Sequence, residues 1–201
     1  LDRNYQLFEA SVRSELGDAR IENVDVTLQD SVAALARNLK EDGVELHGFL
    51  HAIAMDKTIR HKEVKPLLQV TRDEFCETLD VSAYSLIRLA HHLLAEEVLQ
   101  PGASICSLSY IAAVKVTFHP YRNMSVAKAA LERITVELGR LNGTRVNALR
   151  FSPYLSSKAG NATLNPEDVE TSDRLSPLGN ALPQDLAREV VHLFRSDVRI
   201  T

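Results

Sequence analysis

The sequence has only two cysteines, Cys76 and Cys106, far apart and each in apolar surroundings. They read as buried free thiols in a reducing compartment rather than as a disulfide or a catalytic pair. No apolar run reaches the eighteen or so residues that a membrane-spanning helix needs, so no span is predicted. The N-terminus, Leu1-Asp2-Arg3-Asn4, is not followed by the charged-then-apolar pattern of a signal peptide, and a cytoplasmic location is expected. No basic block stands out in a chain of net charge −4, which argues against a nucleic-acid surface. Ser152 lacks a Gly-x-Ser-x-Gly setting, so a serine hydrolase is not supported. His91 and His92 diverge by about 100° on a helix and do not form a metal pair. Glu167, Asp168, Glu170 and Asp173 read as a solvated acidic loop, and no metal site is expected.

What is present is an alternation of helical and short apolar segments through 201 residues that are 45% hydrophobic, enough for one core. Helical spacing runs over Tyr5 to Leu16 and over Asp30 to Leu39; Ile21 to Val26 reads as a strand between them. Gly48 to Ala54 is nearly continuous apolar sequence, as in a parallel strand buried on both faces. A charged loop, Met55 to Val70, follows. Thr71 and Glu74 make a capping box that opens a helix running to about Leu99, with a break near Asp80. Pro101-Gly102 is a turn, Ser104 to Ser109 a strand, Met124 to Leu141 a helix, Thr144 to Phe151 a strand and Asp185 to Phe194 a last amphipathic helix. Asn161 to Gly179 is polar and holds two prolines, which predicts a mobile loop with at most a short helix. Strand and helix in alternation, without hairpin signals, predict an α/β fold: a doubly wound parallel sheet with helices on both faces. Ligands bind such sheets beyond the carboxyl ends of the strands.

The strongest chemical signal is Tyr121-Arg122-Asn123-Met124-Ser125-Val126-Ala127-Lys128. Seven residues, roughly two helical turns, put Tyr121 and Lys128 on one face. An ammonium near a phenol is expected to favour the phenolate. A phenol can also hydrogen-bond to a carbonyl oxygen and stabilise an enolate. Alone, the pair reads first as a core tyrosine beside a solvated lysine.

Its context narrows the reading. The pair with six intervening residues, followed by Ala129-Ala130-Leu131-Glu132 and then Arg145-Val146-Asn147-Ala148, resembles the short-chain dehydrogenase/reductase superfamily. Within it the spacing resembles the NADH-dependent enoyl-acyl-carrier-protein reductase branch. Leu108-Ser109-Tyr110, His51-Ala52-Ile53-Ala54 and Asp80-Val81-Ser82-Ala83-Tyr84-Ser85 are similar to further motifs of that branch, in the right order. The resemblance implies a Rossmann-like reductase domain over residues 1–201, incomplete at both ends. It implies reduction of the carbon–carbon double bond of an enoyl thioester, possibly carried on acyl carrier protein, with NADH as cofactor and NADPH not excluded. Tyr121 would hydrogen-bond the thioester carbonyl and Lys128 would bind the nicotinamide ribose. Tyr110 would be a second active-site tyrosine or a wall of the acyl pocket. Asp25 and Val26 would contact adenine, Ile53 would lie along the cofactor, and Ser156 would reach its nicotinamide end or pyrophosphate. The helices Asp80–Leu99 and Met124–Leu141 carry apolar residues such as Leu86, Ile87, Leu89, Leu93 and Leu94 on more than one face, which must be buried somewhere; the resemblance implies that they pair across a two-fold axis, in a homodimer or homotetramer. The alternatives are a superfamily member acting on a ketone or alcohol, and a catalytically inactive paralogue.

The sequence departs from the branch in four places. The glycine-rich turn after the first strand is absent, as are the terminal strand and its tail, so the chain is expected to be a fragment that starts at the second helix. Ser152-Pro153 replaces a Gly-Pro pair. Tyr110 and Tyr121 have one more residue between them, and the helix after Lys128 is shorter. The segment Asn165 to Glu170 is acidic where the branch is basic, which is expected to weaken docking to an acidic carrier.

Overall fold

The computed structural model describes residues 10, 12–17, 19–141, 143–154 and 158–201, with only the backbone at 158 and 159. A parallel sheet is built from β1 (Leu46–His51), β4 (Leu99–Ser109) and β5 (Arg145–Arg150), in the order β1-β4-β5. All three strands point the same way, with His51 opposite Ser107 and Ser109 opposite Arg150. Their carboxyl ends therefore share one edge of the molecule, which is where the site is assembled.

Helices cover both faces. Helices α1 (Gln29–Glu41), α3 (Ser85–Ala95) and α4 (Arg122–Leu138) contribute Ala36, Leu86, Leu93 and Leu131 to a core with Ile105 and Val146. Helix α7 (Pro183–Phe194) packs Val190 and Leu193 against Cys106 on the opposite face. Consecutive strand residues point to opposite faces, so Ile105 and Cys106 serve the two cores in turn. Burying each large aliphatic here is worth about 1.5–3 kcal/mol. Gly48 is required on the α7 side: a Cβ there would lie 2.6 Å from the Phe194 ring.

The break predicted near Asp80 is a wide helical turn, Asp80–Tyr84, between α2 (Arg72–Leu79) and α3. The capping box on α2 is present, with Glu74 N–H donating to Thr71 Oγ1 at 3.3 Å and Thr71 N–H to Glu74 Oε2 at 2.9 Å.

Several expectations are corrected. Ile21 to Val26 joins no ladder with any described strand; a strand needs a neighbour to satisfy its backbone. The charged loop contains a small hairpin of β2 (Ile59–Arg60) and β3 (Glu63–Val64), turned by His61 and Lys62 at φ 51° and 65°. Such residues give no glycine-type hairpin signal. Pro101-Gly102 does turn, but inside β4: Leu99 pairs with Leu46 and Ser104 with Gly48, so the residues between are looped out of the ladder. Asn161 to Gly179 is largely helical, with α5 (Lys158–Thr163) and α6 (Pro166–Leu175). Asn165 N–H donates to Asp168 Oδ2 at 2.8 Å and Pro166 takes the first helical position, a start signal hidden in a run read as loop. Cys76 is exposed rather than buried; Cys106 is buried, and both are free. Leu86, Leu89 and Leu93 are buried within the chain and leave no second apolar face of their own. Of the helix predicted from Tyr5 to Leu16, residues 12–16 are helical and Tyr5 to Glu9 lie outside the described residues. No described helix is long and apolar enough to cross a membrane.

Candidate active site

Tyr121 caps α4 directly after Pro120, whose fixed φ ends the preceding loop. The next residue, Arg122, takes φ 39°, a left-handed value that costs roughly 1–2 kcal/mol for a residue with a Cβ. That strained step starts the helix with Tyr121 at its mouth. Tyr110 directly follows β4, and its ring centroid lies 5.2 Å from that of Tyr121. The His119 ring stands edge-on to Tyr121 at 6.3 Å. The two tyrosines and Lys128 are thus gathered at the carboxyl edge of the sheet, although ten residues separate the tyrosines in sequence.

Burial pushes the Tyr121 phenol above its usual range, with a hydrogen bond to the Thr163 side chain acting the other way and the Asp56 carboxylate adding to the rise. This corrects the expected ammonium-stabilised phenolate. Burial outweighs any pull toward the phenolate, and the group at the site is a neutral phenol. Tyr110 is raised too, by burial first and then by the charges of Tyr121 and Asp168.

Lys128 is itself buried, 8% exposed, and donates to the Leu108 carbonyl at 2.7 Å. Desolvation pulls its ammonium down to about 8, against an opposing pull from Glu132. Glu132, one turn further along α4, accepts the Ser109 hydroxyl at 2.6 Å and a two-pronged grip from Arg150 at 2.7 and 2.6 Å. Arg150 first and Ser109 after it hold this carboxylate below its usual range. One acid therefore joins α4 to the ends of β4 and β5 beside the lysine.

His51, at the end of β1, is fully buried, with Nε2 2.8 Å from Ser85 Oγ. Ser85 spends its proton on the Val81 carbonyl at 2.6 Å, so Nε2 carries the proton and Nδ1 is an acceptor with no partner among the described residues. Burial first, then the nearby Lys128 charge, lowers its pKa to about 4.

Ile53 is half-buried two residues past β1, on the same edge. Asp25 and Val26 form a tight turn: Leu28 N–H donates to the Asp25 carbonyl at 3.2 Å, and Asp25 Oδ1 accepts Thr27 N–H at 2.9 Å and Thr27 Oγ1–H at 2.6 Å. Ser156 lies outside the described residues. Sequence reasoning missed Thr163, which covers the Tyr121 hydroxyl, and missed His119, whose Nδ1 is 3.3 Å from Asp168 Oδ2. Glu132 and Arg150 also went unread as site residues. None of these carries a local signal, because each partner comes from a distant element. A cleft of about 660 Å³ lies along the β5 edge between Val136, Asn147 and Thr201; it adjoins Glu132 and Arg150 but is lined by neither tyrosine.

A parallel sheet with helices on both faces defines the chain as a Rossmann-like α/β protein. It belongs to the enoyl-(acyl carrier protein) reductase family, whose family model matches residues 3–201. It is 32% identical to the NADH enoyl-acyl-carrier-protein reductase FabI of Rickettsia bellii over 185 residues, 90% of this chain and 68% of that one. It is 34% identical to the corresponding FabI of Buchnera aphidicola over 142 residues, 69% of this chain. The chain spans 53% of the Buchnera relative and 50% of a Rhizobium meliloti relative, about half the length of each. Among solved structures, the FabI–NADH complex of Alistipes finegoldii superposes with a TM-score of 0.77 at 29% identity, covering 86% of this chain and 62% of that one. The Anaplasma phagocytophilum reductase in complex with NAD gives 0.80 at 25% identity, covering 96% and 71%.

Proposed function

We propose that this chain forms one domain over residues 1–201 that carries the chemistry of an NADH-dependent enoyl-thioester reductase. The observation that supports it most is the neutral Tyr121 phenol packed 5.2 Å from Tyr110, on the helix that also presents Lys128. A neutral phenol can donate to a thioester carbonyl and strengthen that bond as the oxygen gains enolate charge. The Thr163 hydroxyl holds the phenol oxygen in the sense that favours the phenolate, as a donor, which leaves the phenol proton for the substrate oxygen. Tyr110 walls the acyl pocket beside it.

The described residues fit a dinucleotide at both ends. The Lys128 ammonium has three N–H donors, of which Leu108 takes one, leaving two for ribose hydroxyls. The Asp25 carboxylate beside the Val26 N–H, which has no protein acceptor among the described residues, matches the amine and ring nitrogen of adenine. Ile53 would lie along the cofactor and Ser156 at its nicotinamide end. Bound NADH supplies the hydride, and NADPH would meet the same residues. No glycine-rich turn opens a helix among the described residues, so no pyrophosphate contact is assigned.

We place the protein in the cytoplasm as a homodimer or homotetramer, its substrate free or on acyl carrier protein. Tyr84, Val126 and Val136 are exposed on or beside α3 and α4 and supply an apolar contact surface; light scattering that shows only monomer at micromolar concentration would remove the assembly. The functional test is NADH oxidation with crotonyl-coenzyme A. Tyr121→Phe should lower turnover on the order of a hundredfold, as loss of an oxyanion donor does. Turnover within a factor of two of the parent would refute the role given to Tyr121.

A further inference from the structure

Arg88, on α3, lies outside every motif that carried the family resemblance, yet its side chain is only 10% exposed and engaged on three sides. One terminal nitrogen donates to the Val26 carbonyl. The other reaches Asp80 Oδ1 at 3.0 Å. The guanidinium carbon sits 4.8 Å over the Tyr84 ring. Asp80, Tyr84 and Arg88 are spaced by four residues each along the helix, which stacks them on one face. Nε is buried without an acceptor among the described residues, so the attachment rests on the two terminal nitrogens.

The contact continues past Arg88. The Val26 carbonyl belongs to the same peptide unit as the Thr27 N–H, and that N–H donates to Asp25 Oδ1 at 2.9 Å. Holding the carbonyl from below therefore aims the N–H that orients the carboxylate above. Among the described residues Asp25 to Thr27 joins no strand ladder, and the backbone bond that holds it is the one from Leu28 N–H to the Asp25 carbonyl at 3.2 Å. Ser31 Oγ accepts the Asp25 N–H at 3.0 Å and anchors the other end of the turn.

From this chain of contacts we infer that Arg88 is a positioning residue for the adenine end of the cofactor site, acting through the Val26–Thr27 peptide on the Asp25 carboxylate. The inference rests on the proposed role of Asp25 and Val26. It touches only the adenine half: Lys128, Tyr110 and Tyr121 have no bond to Arg88.

The test separates the halves of the dinucleotide. Binding of ADP-ribose is measured by calorimetry, and binding of reduced nicotinamide mononucleotide by its fluorescence, on the full chain. Arg88→Met, which keeps the apolar stem, should raise the Kd for ADP-ribose about tenfold, the size of a lost charge-assisted hydrogen bond, and leave the mononucleotide unchanged. Arg88→Lys, able to reach the Val26 carbonyl or Asp80 but not both, should fall between. Thr27→Val keeps the peptide but removes the hydroxyl bond to Asp25, and should weaken ADP-ribose alone by a few-fold; it decides the matter with Arg88→Lys if Arg88→Met does not fold. Equal weakening of both ligands, or no change in ADP-ribose binding, overturns the inference, as does a parent protein that does not bind ADP-ribose. A parent that binds ADP-ribose but reduces no enoyl thioester sinks the proposed function and leaves Arg88 standing.

Discussion

His119 Nδ1 stands 3.3 Å from Asp168 Oδ2, joining the loop before Tyr121 to the first turn of α6. The same carboxylate oxygen accepts Asn165 N–H at 2.8 Å, so one acid both starts α6 and ties it beside the two tyrosines. The acidic segment is thus part of the site's wall as well as a charged surface.

Replacing Asp168 by Asn should loosen that tie. Asp168→Asn keeps the size but removes the charge that favours a helix N-terminus, a change worth about 0.3–1 kcal/mol, and weakens the His119 contact. Faster amide hydrogen exchange over residues 166–175, with residues 85–95 unaffected, is the expected result. Unchanged exchange in α6 would mean that its packing alone holds it.

Lys128 should give the cofactor site an alkaline limit. Its pKa is pulled down to about 8 by burial, so the charged form that donates to two ribose hydroxyls is lost as pH rises through 8. The KM for NADH should rise above that pH while the thioester KM holds. Lys128→Met should weaken NADH tenfold or more and abolish the pH step. Because the folded pKa lies below the usual 10.5, burial of the ammonium costs stability at neutral pH, and the cost disappears between pH 8 and 10.5. Lys128→Met should therefore melt no lower than the parent at pH 7. A clear drop would show that the Leu108 bond outweighs desolvation.

The buried His51 should set an acid limit on folding. Its folded pKa, about 4, lies below the ordinary 6.5, so the unfolded chain takes up the proton first as pH falls. Stability is full above 6.5 and is lost between 6.5 and 4, by about 3 kcal/mol if the whole shift is realised. Urea midpoints across that window should fall in the parent and flatten in His51→Gln. A parallel fall in both would assign the acid sensitivity to other groups.

The exposed acids of α6 bear on the carrier. Glu167 and Glu170 point to solvent, whereas Asp168 is committed to the helix start and His119. Glu167→Lys with Glu170→Lys should lower the KM for a substrate on acyl carrier protein and leave a coenzyme A thioester unchanged, since only the carrier presents an acidic surface. An equal change for both substrates would place the effect in the acyl pocket.

The alternation of helices and apolar strands, the Thr71 capping box, the break at Asp80 and the Tyr121–Lys128 pair were all legible in the sequence, because each is written in spacings of a few residues that local geometry reads directly. The same local logic misread Ile21 to Val26, whose strand-like pattern finds no neighbour among the described strands, and Asn161 to Gly179, where polar composition concealed α6. It also predicted a phenolate, since an ammonium seven residues away is visible in sequence and the burial that overrules it is not. What only the tertiary structure decided are the pairings across distance: Thr163 on Tyr121, Asp168 on His119, Arg150 on Glu132 and Arg88 on Val26. Each joins elements that meet only after the sheet and helices have packed, and desolvation, which sets the charge state of Tyr121, Lys128 and His51, exists only once that packing is complete.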